Sequence, residues 1–105
     1  MRPEFTIVRL PSDHGLAVRG EIDIYTAAGL RDSLRSTVRA ATQGTVVMVD
    51  LSAVTFIESR GLTTLVEAEA YASVRGIRLV FADVPAAITR LLSLTGLSLS
   101  GPGVS

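Results

Sequence analysis

The chain has 105 residues, the length of one ordinary domain, and its 48% of apolar residues can build a single core, which excludes a disordered tail. Ten basic residues balance ten acidic ones, so the net charge is zero and neither nucleic acid nor an anionic membrane is the expected partner. All ten basic residues are Arg, Cys is absent and His14 is the one histidine. This excludes a disulfide framework, Cys-type and multi-His metal sites, a lysine-bearing phosphate loop and a Schiff-base lysine.

No apolar run approaches the ~18 residues that span a bilayer, and the start, MRPEFTIVRLPSD, lacks the apolar stretch of a secretion signal. A cytoplasmic protein without membrane insertion is expected. Phe5 to Leu10 reads as a strand that ends at Pro11. Pro11-Ser12-Asp13-His14-Gly15 is turn chemistry, and Leu16 to Arg19 reads as the returning strand of a hairpin. After Gly20-Glu21-Ile22-Asp23 comes a helix whose apolar stripe is Ala27, Leu30, Leu34, Val38 and Ala41. Asp23 or Thr26 can supply its N-cap oxygen, and Gly44 closes the segment.

Thr45 to Asp50 is a continuous apolar run, which predicts a strand buried on both faces. A second helix is expected from about Arg60 to Arg75, carrying Leu62, Leu65, Val66, Ala70 and Val74 on its apolar face, with Gly76 as its stop; Ile77 to Ala82 is the next buried strand. Pro85 opens a third helix that turns Val84, Ile88, Leu91 and Leu92 inward and stops near Gly96; Leu97 to Leu99 can add a short edge strand. The order β-β-α-β-α-β-α defines a single α/β domain, with a mixed four- to five-stranded sheet and helices packed mainly on one face. Glu69 falls on the apolar face of the second helix, with its stem expected to pack while its carboxylate reaches the rim.

The segment Asp50 to Leu62, DLSAVTFIESRGL, carries the most information. It is read as a loop anchored by Val54, Phe56 and Ile57, with Ser59 directly before the second helix. There the hydroxyl serves either as an N-cap or as a phosphate acceptor at the positive end of the helix dipole. Arg60 opposes that dipole and Gly61 weakens the first turn, so neither residue favours the helix. Gly61 therefore reads as a place where another chain approaches the backbone. Asp23 and Glu58 could form a carboxylate pair for acid–base chemistry, but no nucleophile–base set or metal-ligand set accompanies them. The chain is not read as an enzyme, and no cofactor or metal is expected. Arg31, Arg35 and Arg39 form a basic stripe, interrupted by Asp32 and read as a solvated face.

DLSAVTFIESRGL at 50–62 resembles the D-L-[SG]-x-V-x-[FY]-[IM]-D-S-x-G-L signature of the STAS family, whose members include the anti-sigma factor antagonists. GEIDIYTAAGLRDSL at 20–34 and LVFADVPAAITRLLSLTGL at 79–97 are similar to the stretches that open the family's first helix and close its fold. The resemblance implies a STAS domain over residues 1–100, with 101–105 a short flexible tail. It also implies a partner-switching protein that binds an anti-sigma factor, itself a serine kinase, and so releases a sigma factor. Ser59 matches the residue that the kinase phosphorylates and a PP2C-type phosphatase restores. Asp23, Glu58, Ser59, Arg60 and Gly61 are the implied partner surface. Two positions depart from the pattern: Glu58 stands where Asp is usual, and Arg60 where a small residue is common. The alternative is a STAS scaffold or accessory subunit of a signalling or transport complex that works without phosphorylation.

Overall fold

The computed structural model describes residues 5–11 and 15–101. Ser12, Asp13 and His14 of the expected turn, and residues 102–105 of the expected tail, lie outside them. Strand β1 (Thr6–Arg9) pairs antiparallel with β2 (Gly15–Ile22), which makes the expected hairpin. Helix α1 (Ala27–Ala40) leads to β3 (Val46–Ile57), α2 (Ser59–Val74) leads to β4 (Arg78–Ala82), and α3 (Ala86–Thr95) follows. Both crossovers join parallel neighbours, β2 with β3 and β3 with β4, so the sheet order is β1-β2-β3-β4.

One core lies between the sheet and the helices. Leu16, Val18 and Ile22 of β2, Val47, Val49 and Leu51 of β3, and Leu79 and Phe81 of β4 face Leu30, Leu34 and Val38 of α1. Leu62, Leu65, Ala68 and Ala72 of α2 and Ile88 and Leu92 of α3 complete it. The stripe predicted for α1 marks its buried face, whereas on α2 the expected inward residues Ala70 and Val74 are exposed and Ala68 and Ala72 are buried instead.

The expectation that β3 is buried on both faces is not met. Val47, Val49 and Leu51 are buried while Val46 is 46% exposed and Met48 and Asp50 are half-covered, so the helices cover one face and the other stays open. A run of apolar residues concealed an ordinary one-sided alternation. β4, by contrast, has three consecutive buried residues, Leu79 to Phe81.

β3 also runs through the stretch read as a loop. Its register against β2 slips twice, between Ala17 and Arg19 and between Gly20 and Glu21, so Leu51, Val54 and Ile57 reach the core three residues apart. Such bulges add a residue to one strand, and the side chain of Asp50 accepts the Ser52 N–H at 2.9 Å beside the first. Gly20 meets Val54 there with φ +99°, a conformation open to glycine. Phe56, expected as an anchor, is 46% exposed on the open face.

The last described residues lie along β4. The Phe81 N–H donates to the Ser100 carbonyl at 2.8 Å, Leu99 is buried, and the Glu69 carboxylate accepts the Ser100 N–H at 3.0 Å. Glu69 is half-buried, and its carboxylate ties Ser100 to α2. Gly101, expected in a flexible tail, packs against the backbone of Phe81.

Candidate functional site at the start of α1 and α2

The chain leaves β2 and β3 at the same end of the sheet. Ile22 and Ile57 are paired in register, and the Glu58 N–H donates to the Ile22 carbonyl at 2.9 Å. This bond places the turn that opens α1 directly beside the one that opens α2, which brings Asp23 and Glu58 together as expected.

Asp23 is a turn builder. Its Oδ1 accepts the N–H groups of Tyr25 at 2.9 Å and Thr26 at 3.1 Å, while the Asp23 N–H donates to Thr26 Oγ1 at 2.9 Å. Thr26 Oγ1 in turn donates to the Glu21 carbonyl. Both residues considered as caps thus act as a reciprocal pair, in the manner of a capping box, one turn ahead of the helix. Asp23 is 9% exposed, so its side chain faces its own turn more than a partner.

Ser59 is the first residue inside α2; Glu58, half-buried and extended, occupies the cap position without a side-chain cap bond. The N-cap reading of Ser59 is thereby corrected. Its hydroxyl is exposed and its carbonyl accepts Thr63 Oγ1 at 3.0 Å, as the Arg60 carbonyl accepts Thr64 Oγ1 at 2.9 Å. Arg60 is exposed.

Gly61 is a second correction. It is buried, and a Cβ there would overlap Cγ2 of Ile22 and stand 3.0 Å from Cγ1 of Ile57. The missing side chain lets the first turn of α2 sit on the ends of β2 and β3. A large residue at this position would collide with the protein's own core.

Between the first turns of the two helices lies a groove of about 550 Å³, lined by Ser59, Arg60, Thr63 and Glu67 of α2 and by Ile24, Ala28 and Arg31 on the α1 side. It joins Ser59 and Arg60 to Arg31, which the sequence reading left on a solvated face. Ile24 and Tyr25 are 54% and 73% exposed beside it. Sequence reading missed this pair, although two large apolar residues ahead of the helix stripe were the available signal. Among the described residues, no group of three or more His, Cys, Asp or Glu could hold a metal ion. No helix among them is long and apolar enough to cross a membrane.

This fold and this junction can be set beside known proteins. A family model described as Mlab, STAS domain matches residues 5–99. The anti-sigma-B factor antagonist of Listeria monocytogenes is 35% identical over 88 residues, which cover 83% of this chain and 75% of that one. The crystal structure of an anti-sigma factor antagonist from Mycobacterium paratuberculosis is similar at a TM-score of 0.64 and 29% identity, covering 89% of this chain and 79% of that one. The unphosphorylated anti-sigma factor antagonist SpoIIAA shares the fold at a TM-score of 0.68 and 12% identity, covering 90% of this chain and 82% of that one. The chain belongs to the STAS domain family, in the branch of the anti-sigma factor antagonists.

Proposed function

We propose that the protein is a partner switch. Its unphosphorylated form binds an anti-sigma factor that is also a serine kinase, which frees a sigma factor, and phosphorylation of Ser59 ends that binding. The exposed hydroxyl of Ser59, free of any capping duty and set in the groove between α1 and α2, carries the reading. Its match to the acceptor position of the family signature and the relatives' names support it.

The contact surface in this reading is formed by Glu58, Ser59 and Arg60, with Ile24 and Tyr25 as apolar neighbours. Asp23 and Gly61 hold the two helix starts in place beneath it. A phosphate would bring a charge of roughly −1.5 to −2 to a helix N-terminus, which tolerates anions well, so the domain stays folded. Binding is lost because the phosphate, added beside Glu58, sets like charges against a surface built for the unmodified hydroxyl. A PP2C-type phosphatase would restore the active form. The domain acts by binding and not by catalysis.

Incubation with a cognate anti-sigma kinase and ATP should add one phosphate to the wild type and none to Ser59→Ala, as read by intact mass. Ser59→Ala should keep binding the kinase and Ser59→Asp should lose it. A phosphorylated protein that bound as tightly as the unmodified one would refute the switch. Binding that persists with no gain in mass after incubation with the kinase and ATP would make the chain a scaffold.

A further inference from the structure

Beyond the groove, the two helices carry a second charged feature. The guanidinium carbons of Arg35 on α1 and Arg75 after α2 lie 4.9 Å and 5.2 Å from the ring centre of Tyr71, and Arg39 donates to the Tyr71 hydroxyl oxygen at 3.4 Å. Among the described residues, none of these three arginines has a carboxylate within ion-pair distance; Arg31, one turn earlier, pairs with Asp32 at 3.3 Å. Twelve residues separate Ser59 from Tyr71, about 18 Å along α2.

We infer that this cluster is a second docking patch, at which Arg35, Arg39 and Arg75 around Tyr71 take the carboxylates of an acidic segment of a partner protein. A guanidinium lying over a ring keeps its N–H edge available for in-plane hydrogen bonds, and that edge matches a carboxylate. The ring also holds long side chains in place before binding, which reduces the ordering cost. Arg39 uses the hydroxyl oxygen of Tyr71, which leaves the O–H proton to donate to an incoming anion.

The C-terminal end of a helix favours cations, which accounts for Arg39 in the last turn of α1 and for Arg75 as the C-cap of α2. It does not account for Arg35 in the middle of α1, nor for three cations meeting at one ring. Uncompensated like charges at close range are costly unless something negative covers them. A protein carboxylate segment fits better than a nucleic acid. The chain is neutral overall, and three cations around one ring match a short run of carboxylates better than the continuous line of phosphates of a duplex.

The test titrates the full chain with poly-L-glutamate at low salt, following the ring signals of Tyr71 by NMR. Wild type should bind with a shift centred on Tyr71, and binding should weaken as salt rises. Arg35→Gln/Arg39→Gln/Arg75→Gln should lose about tenfold in affinity. Arg19→Gln/Arg78→Gln/Arg90→Gln alters the net charge equally at exposed sites elsewhere and should change affinity less than about twofold. Equal losses in the two variants, or Tyr71 signals that do not move in the wild type, would overturn the patch. Preference for duplex DNA or inorganic phosphate over poly-L-glutamate at equal charge would overturn the acidic-segment assignment. None of these outcomes depends on the modification of Ser59.

Discussion

Gly61 and Ile22 occupy one another's space: the first turn of α2 rests on the end of β2 only because position 61 has no Cβ to meet Cγ2 of Ile22. Ile22 is 0% exposed and its branch carbon cannot swing aside. Gly61→Ala gains about 0.5–1 kcal/mol in helix propensity and loses about 1–3 kcal/mol to overpacking, so a net loss of stability is expected. Ile22→Ala removes the colliding carbon. The Gly61→Ala/Ile22→Ala pair should therefore be more stable than the sum of the single changes predicts, as measured by urea unfolding. Strict additivity would show that the two residues do not share this space.

Val46 and Val47 sit on opposite faces of β3, at 46% and 1% exposure. Val47→Asp buries an unpaired charge and should abolish the cooperative transition seen by circular dichroism. Val46→Asp leaves its carboxylate on the open face and should cost no more than about 1 kcal/mol. A folded Val47→Asp protein would contradict the one-sided core.

Most of the fold was legible because the helices are amphipathic and the hairpin has clear turn chemistry. The second half of β3 was not, since two bulges replace the alternation of period two with a spacing of three at Leu51, Val54 and Ile57. The site suffered from two local ambiguities. A shift of one residue in the helix start turns Ser59 from cap to first helical residue. A glycine that permits close packing within the chain has the same local signature as one that admits a partner, and only the position of Ile22 separates the two. The Arg stripe on α1 was visible, but its meeting with Tyr71 and Arg75 depends on how α1 and α2 pack together.

Ser59 makes no side-chain cap bond, so Ser59→Ala should change stability by less than about 0.5 kcal/mol. A true N-cap serine would cost about 0.5–2 kcal/mol. Ser59→Asp puts a negative charge at the positive end of α2 and should gain up to about 1 kcal/mol at low salt. Thermal melts of the three proteins at matched pH check both values.

Tyr71 should titrate below the usual phenol range. The Arg39 hydrogen bond is the largest cause of the lowering; desolvation opposes it, and the weaker effects of the Arg75, Arg39 and Arg35 charges add to the lowering. Since the folded value is depressed, the contribution of this group is present above the unfolded value near 10 and is lost as pH falls through the folded one. Stability should therefore rise with pH across that interval. NMR titration should place the Tyr71 transition below that of the unfolded chain, and Arg39→Gln should move it upward. An unchanged midpoint in Arg39→Gln would remove Arg39 as the cause.

The contact between Phe81 and Ser100 has a bearing on solubility. β4 is the outermost strand on its side of the sheet, and a bare strand there would offer its backbone to any other extended chain. The segment from Leu99 to Gly101 occupies that margin, with Leu99 buried and Glu69 holding Ser100 from α2. On the opposite margin β1 is only four residues long and ends in Arg9, two features that discourage strand-to-strand association. Both margins of the sheet are thus poor templates for strand-to-strand association, one covered by the segment around Ser100 and the other short and charged.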